Sequence, residues 1–359
     1  MFKIYQKYIV QKFLVKFFLI SLVFFCLTLI LGILEEISFL KNTNSSIFLP
    51  YILTFLNAPI TLFEIFPFIF LLSTQFFFHE IFKNDELILF KNCGLSNLKI
   101  IYVLLIISFT IGLIINSVYY NISSKLKFFY TDIKNNYSND NKYLAAVTES
   151  GLWLKDEIND SIMIIKAISI EDNYLTGVII NEFDMNFNLM KIIQSEKINI
   201  SNKFWEIERP LITSNNVTNK LEKNFQLKTS FDKEKINSLF SNISTLDIFQ
   251  LIQLKEDYEN LGYSSDEIKL HLLKLFSNPI FYSLMTIMAS IIMLNIKRNK
   301  SFYYYLIIGI ILSVIIYYLN YIIGSLGKAG KLPIDVSVIM PITLITILVF
   351  TGLVTVNEK

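Results

Sequence analysis

The chain has 359 residues, 53% of them hydrophobic and only 17% charged, with a mean hydropathy of +0.51. That balance excludes an ordinary soluble globular protein. The net charge of +2 is too small to point to nucleic acid. The two cysteines, Cys26 and Cys93, fall in segments too different in character to pair, so disulfides are not expected to hold any domain together.

Residues 2–16 interleave Lys3, Lys7, Lys12 and Lys16 with Tyr5, Tyr8, Ile9 and Phe13. This predicts an amphipathic helix at the inner leaflet that runs into the first span, although a simple basic anchor fits equally well. Residues 17–34 are uncharged and almost wholly apolar. Residues 100–120, 275–296, 302–323 and 336–356 are similar runs, and 60–78 is another, interrupted by Glu64 and Pro67. A helix needs roughly 20 such residues to cross a hydrocarbon core of about 30 Å, so six spans are expected. Residues 47–56 are too short to cross and read as an interfacial helix at the outer surface. No cleavable leader is evident, because the first apolar run is long and no small-residue cleavage site follows it.

The basic residues are asymmetric. Lys3, Lys7, Lys12, Lys16, Lys83, Lys91, Lys99, Lys297, Arg298 and Lys300 fall on one side of the six spans. Only Lys41, Lys328 and Lys331 fall in the short loops on the other. The positive-inside rule then places both termini in the cytoplasm and residues 121–269 outside it. The expected organisation is an N-terminal transmembrane half (1–120), an inserted external domain (121–269) and a C-terminal transmembrane half (270–359). A chain of this shape is a transporter half, a channel or a sensor far more often than an enzyme.

The insert changes character. Short β-type runs occur at 145–153, 161–168, 175–183, 189–193, 198–200, 204–207 and 225–229, separated by Asn, Asp, Ser and Gly. Ser201-Asn202 is a candidate hairpin turn. Many short strands at close spacing predict an antiparallel sandwich or jelly roll. Residues 245–261 and 264–276 turn helical and lead into the fourth span.

No residues support catalysis or a metal site: His79 and His271 lie at opposite ends of the spans, with no metal-ligand neighbour at usable spacing. Gly324-Ser-Leu-Gly-Lys-Ala-Gly-Lys331 lacks the phosphate-loop pattern and reads as a tight loop, so any ATP and magnesium must be bound by another chain. Glu64, about one turn inside the outer surface, is placed to reach water. Glu35, Glu36, Lys41 and Glu64 form a polar outer rim, with Asn116 and Asn320 nearby. On the cytoplasmic side, Asp85-Glu86 opens a two-turn amphipathic stretch over 84–93 containing Leu87, Ile88, Phe90 and Lys91. Gly94 is its stop signal and Ser96 the N-cap of the third span. Such a knob between two spans is an ordinary connector or a coupling element for a soluble partner.

Asp85-Glu86-Leu87…Lys91…Gly94-Leu95-Ser96 resembles the coupling helix of the LptF/LptG lipopolysaccharide-export permeases. Pro59, Pro67, Glu149-Ser-Gly-Leu-Trp-Leu-Lys-Asp156, the Leu275–Pro279 entry to span four, and Gly324–Pro333 with Pro341 extend the resemblance over nearly the whole chain. The Gly-Leu-Trp-x-Lys-Asp element is most similar to LptG. The resemblance implies a polytopic α-helical membrane protein of six transmembrane helices with a periplasmic antiparallel β jelly roll between helices 3 and 4. It implies a bacterial inner-membrane location, an LptF-like permease partner, an LptB-like ATPase dimer, and LptC- or LptA-like jelly-roll proteins bridging to the outer membrane. Asp85, Glu86, Leu87, Phe90, Lys91, Gly94 and Ser96 are its coupling residues, with Glu86 reaching the ATPase and Leu87 and Phe90 filling its groove.

The resemblance also implies a lateral gate between span one of one subunit and span five of the other, which would place Phe17, Phe24, Phe25 and Leu31 with Phe302, Leu306, Ile310 and Tyr317 around the acyl chains of lipopolysaccharide. Two departures from the family pattern matter. Lys91 stands where the family has arginine, which loses the fork geometry. Gly32 stands where relatives carry a phosphate-contacting lysine. Acyl burial is therefore expected to dominate the grip on lipid, with the headgroup handled at the rim by Lys41 and the partner. The competing readings are a mechanotransmitting permease that drives periplasmic lipid or lipoprotein handling without substrate crossing, and a structural membrane scaffold.

Overall fold

A computed structural model describes residues 3–41, 46–135, 137, 152–158, 161–171, 173–185, 187–214, 217–220, 225–229, 231, 233, 236, 242–260, 264–295 and 301–357. Its helices are α1 (Ile4–Leu40), α2 (Leu49–Lys83), α3 (Glu86–Asn92), α4 (Asn97–Ile114), α5 (Tyr120–Asn135), α6 (Ile248–Asn260), α7 (Asp266–Leu294), α8 (Phe302–Lys328) and α9 (Ile334–Asn357). A π-helical turn, Ile115–Tyr119, joins α4 to α5 without a break. Six helices are long and apolar enough to span a membrane: α1, α2, α4 with its continuation, α7, α8 and α9. The chain divides into two compact units. One holds Met1–Tyr130, Ser244–Leu251 and Asp266–Lys359, the other Thr131–Ile243 and Ile252–Ser265.

The helix expected at 2–16 runs into the first span, and the one expected at 47–56 is not a separate element. The first continues straight into span one as α1, which at about 1.5 Å per residue is about 55 Å long. The second forms the opening turns of α2, because Pro50 sits in the first turn, where its missing N–H costs nothing. The helical unit also reaches further into the insert than the expected boundary at residue 121. Tyr120 donates its hydroxyl to the carbonyl of Leu246 at 3.2 Å, Lys127 Nζ bonds Asn57 Oδ1 at 2.7 Å, and the Tyr130 hydroxyl bonds Glu36 at 2.8 Å. Gly324–Lys328 is helical rather than a loop. α8 ends only at Gly330 (φ +67°), where Gly330 N–H bonds the carbonyl of Gly327 and Lys331 N–H that of Leu326.

Burial separates the six long helices. Two thirds (67%) of the most apolar stretch of α7 is inside the helical unit, against 11% for α1. α2 and α7 are the inner helices; α1, α8 and α9 carry broad exposed apolar faces. Aromatic rings tie the layers together: Phe17 of α1 lies 4.9 Å from Phe70 of α2, which stacks on Tyr282 of α7 at 4.9 Å.

In lipid, burying apolar side chains against one another gains little, so small residues and polar contacts decide which helices pair. Ser108 and Gly112 of α4 and Asn116 of the π-helical turn that continues it recur every four residues. Ser108 hydrogen-bonds Thr286 of α7 at 2.9 Å. A Cβ on Gly112 would come within 2.9 Å of the Pro279 backbone. Pro279 has no N–H, so the carbonyl four residues earlier, that of Leu275, loses its helical donor. The side-chain amide of Asn116 donates to that carbonyl. α2 and α8 pair in the same way: Gln75 Nε2 donates to the carbonyl of Tyr305 at 3.0 Å across Gly309, where any Cβ would strike the Gln75 amide.

The second unit carries an antiparallel sheet: β1 (Leu152–Ile158), β2 (Ser161–Ala167), β3 (Ser169–Glu171), β4 (Tyr174–Asp184), β5 (Leu189–Asn199), β6 (Phe204–Ile207), β7 (Leu211–Ser214), β8 (Val217–Lys220) and β9 (Phe225–Lys228). The main path runs β1-β2-β4-β5-β6-β9, with β3 on β4, β7 beside β5 and β8 on β7. Leu154, Ile165, Ile180 and Ile193 stand opposite one another across four strands and are all buried. This is the period-two pattern of a sheet with one packed face. Trp205 of β6 is fully buried and donates its indole N–H to the carbonyl of Phe231 at 2.9 Å. The Ser201-Asn202 turn joins β5 to β6 as expected. The runs at 189–193 and 198–200 are one strand, and β3, β7 and β8 are additional. The first part of the run at 145–153 lies outside the described residues; β1 carries the sheet on to Ile158. The fold is therefore six membrane-crossing helices with an antiparallel β segment inserted between the third and fourth.

The Asn116 contact makes a prediction. Asn116→Leu should cost about 1–3 kcal/mol, because it leaves the Leu275 carbonyl orphaned in an apolar setting. In a Pro279→Ala background the helix regains its own donor, and the same change should cost much less. Reversible unfolding of the purified protein in mixed micelles measures both. Equal costs in the two backgrounds would refute the account.

Candidate functional site

The site begins at the corner between α2 and α4. α2 ends at Lys83, and Asp85 takes a left-handed conformation (φ +53°) that turns the chain into α3. α3 stops at Gly94 (φ +74°). Gly94 N–H bonds the carbonyl of Lys91 and Leu95 N–H that of Phe90, which closes the helix end and satisfies carbonyls left free there. Ser96 then caps α4 by accepting from Lys99 N–H at 3.4 Å. Seven residues are too few to make a stable helix alone, so α3 depends on what it packs against.

That support is α1. Lys12 Nζ lies 2.5 Å from Glu86 Oε1 and 3.3 Å from Glu80 at the end of α2, and Lys16 pairs with Glu80 from the other side. Asn84 donates to the same Glu86 oxygen at 3.2 Å. The Lys12 ammonium sits 4.9 Å from the Tyr8 ring, and Tyr8 meets Phe90 edge-on at 6.2 Å. Partial burial alone would raise the Glu86 carboxyl pKa. The hydrogen bonds from Lys12 and Asn84 outweigh it and hold the group below its ordinary range.

The residues of α3 divide between two faces. Glu86, Leu87 and Phe90 are half-buried, and Glu86 and Phe90 meet α1 side chains. The side chains that α3 presents outward are Ile88 and Leu89, 58% and 61% exposed, flanked by exposed Asp85 and Lys91. Lys12, Tyr8 and Leu89 were not singled out in the sequence. A seven-residue helix with apolar residues on every side has no periodicity to say which face packs.

The gate residues also divide. Phe17 is 5% exposed, in the packing between α1 and α2, and so cannot line an open cavity. Phe24 lies edge-on to Phe68 and Phe302 stacks on His79 at 3.8 Å, so both are partly engaged within the chain; Phe25, Leu306 and Ile310 are half-buried. Leu31 and Tyr317 lie on the open faces of α1 and α8. Those faces run through Leu22, Leu27, Ile30 and Leu34 on α1, and Ile307, Ile311, Ile315 and Tyr318 on α8. Of the rim residues, Glu35, Lys41 and Glu64 are exposed. Glu36 is 1% exposed and accepts from Tyr130, so it belongs to the packing of α1 against α5 rather than to a rim. His271 is engaged with the Tyr120 hydroxyl at 2.9 Å.

An α-helical membrane domain split by an antiparallel β insert, with a short braced helix between its second and third spans, is the architecture of a polytopic membrane permease. The chain belongs to the lipopolysaccharide export system permease LptF/LptG family, which it matches over residues 7–354. It is thus a multi-pass inner-membrane transport subunit of lipopolysaccharide export. No curated protein matches the chain.

The Lys12–Glu86 contact should be measurable. A double-mutant cycle of Lys12→Ala and Glu86→Gln should return a coupling of about 1 kcal/mol, as expected for a partly desolvated charge pair. Because Glu86 titrates below its ordinary range, the contact is present at and above that range. It is lost only as pH falls through the depressed value. A distance probe between positions 8 and 90 should therefore hold steady at neutral pH and lengthen on strong acidification.

Proposed function

We propose that this chain is the LptG-like half of an ABC transporter that extracts lipopolysaccharide from the outer leaflet of the inner membrane and passes it to a periplasmic bridge. Both termini and α3 face the cytoplasm, where an LptB-like ATPase dimer, holding ATP and magnesium, receives α3. An LptF-like subunit completes the permease. The β unit is periplasmic and joins LptC- or LptA-like jelly-roll proteins. Acyl chains lie against the open faces of α1 and α8, where each methylene removed from water contributes about 0.8 kcal/mol. The LptG assignment rests on the Gly151-Leu-Trp-Leu-Lys-Asp156 element.

The observation that carries the coupling role is the braced α3. Its outward tip, Ile88 and Leu89, suits an apolar groove. Its inward face is fixed by charge to α1, which forms one side of the gate. A displacement of α3 by the ATPase is thereby delivered to α1 directly, and not only through the chain ends of α2 and α4.

The two faces should separate on mutation. Ile88→Asp with Leu89→Asp should weaken ATPase binding by about 2 kcal/mol or more, roughly 30-fold, because apolar anchors dominate such interfaces. Lys12→Ala should leave the ATPase bound but reduce the lipid released per ATP hydrolysed in proteoliposomes. If Lys12→Ala leaves that ratio unchanged, α3 does not act through α1; if the Asp pair still co-purifies with the ATPase at wild-type yield, α3 is not the docking element.

A further inference from the structure

α7 carries five acidic or basic residues in its first nine positions, Asp266, Glu267, Lys269, His271 and Lys274, and then no Asp, Glu, Lys, Arg or His from Leu275 to Leu294. Lys274 is therefore the last cation before the span, at the depth where lipid headgroups meet hydrocarbon. The neighbouring lysines at this end of the helices are matched: Lys328 Nζ lies 2.6 Å from Glu267, and Lys269 Nζ 3.2 Å from Asp335. Lys331 is exposed on the following turn. Among the described residues, no acceptor meets Lys274 Nζ.

Its side chain does not reach outward as an interfacial lysine ordinarily would. It is half-buried and lies across α8 at Gly324, where an added Cβ would be 2.5 Å from Nζ and 3.2 Å from the preceding carbon. Gly324 thus makes the seat for the ammonium. A partly desolvated cation with no counter-charge is costly, and an arriving anion recovers that cost. The seat lies between α7 and α8, and α8 also carries one of the open apolar faces.

We propose that Lys274, seated on Gly324, binds a phosphate monoester of the exported lipid's headgroup. This rests on the export reading above. It moves headgroup recognition from Lys41, which is exposed and screened by water, to the α7–α8 crossing.

The test uses the assembled transporter without ATP. It compares equilibrium binding of fluorescent lipopolysaccharide with that of the same lipid after phosphatase treatment. Lys274→Gln should weaken binding of the phosphorylated lipid by about tenfold, the scale of one charge-assisted contact, and leave the dephosphorylated lipid unchanged. Lys274→Arg should retain most of the binding. Gly324→Ala should behave as Lys274→Gln, because its methyl takes the ammonium's place, and Lys331→Gln should bind as wild type. No loss in Lys274→Gln, or equal loss for both lipids, overturns the proposal: the first marks a solvated lysine and the second a packing role. Inorganic phosphate at millimolar concentration should leave lipid binding intact. If inorganic phosphate binds wild type but not Lys274→Gln by isothermal titration, while Lys274→Gln still binds the phosphorylated lipid as wild type does, the seat serves free phosphate and the headgroup assignment falls. Should wild type bind neither lipid, the export reading itself falls, and this site with it; binding of both lipids with no effect of Lys274→Gln removes the site alone.

Discussion

The carbonyl of Leu275, stripped of its helical donor by Pro279 and taken up by Asn116, is the contact on which the helical unit turns. In a bilayer no water stands ready to satisfy a freed carbonyl, so a proline in a span must find its replacement donor on a neighbouring helix. Here that donor comes from α4, on the other side of the insert in sequence. Asn116 lies within the π-helical turn Ile115–Tyr119 that continues α4. Such turns re-aim side chains by widening one helical turn, and the Tyr119 hydroxyl next to it reaches the carbonyl of Pro59 on α2 at 2.9 Å. One irregular turn therefore ties α4 to both inner helices.

From that crossing the remaining arrangement follows. α4 on α7, with α2 beside α7 and α8, joins the three helices before the insert to the three after it, so the β unit is inserted between two halves that are already one body. The inner helices use up their small and polar residues on one another, and α1, α8 and α9 are left with apolar faces turned outward. Those faces are left to lipid or to another protein, because nothing among the described residues of this chain covers them.

The α3 brace puts charge to a different use. Lys12 stands between Glu80 and Glu86, and Lys16 takes the second oxygen of Glu80. Each of these half-buried pairs alone contributes only about 1 kcal/mol. Together they fix a seven-residue helix that could not stand by itself, and they do so against α1. The end of α1 carrying these lysines is stiff because it is continuous with the span, so the brace is mechanical as well as electrostatic.

The six spans, the inserted antiparallel segment, the Gly94 stop and the Ser96 cap were legible in the sequence. Each is dictated locally, by a twenty-residue apolar run, by alternation over a few residues, or by one glycine or serine at a helix end. What the tertiary structure alone decided is direction. Phe17 and Leu31 look equivalent in an apolar run, yet one packs on Phe66 and Phe70 and the other faces outward. Glu36 reads as a rim charge until Tyr130, 94 positions away, is seen to hold it. Glu86 and Phe90 read as partner-facing until Lys12 and Tyr8 occupy them. Lys274 reads as one more interfacial lysine until Gly324 gives it a seat. In each case the deciding partner lies on a helix distant in sequence, and a span that is apolar on every side has no periodicity from which its packed face could be read.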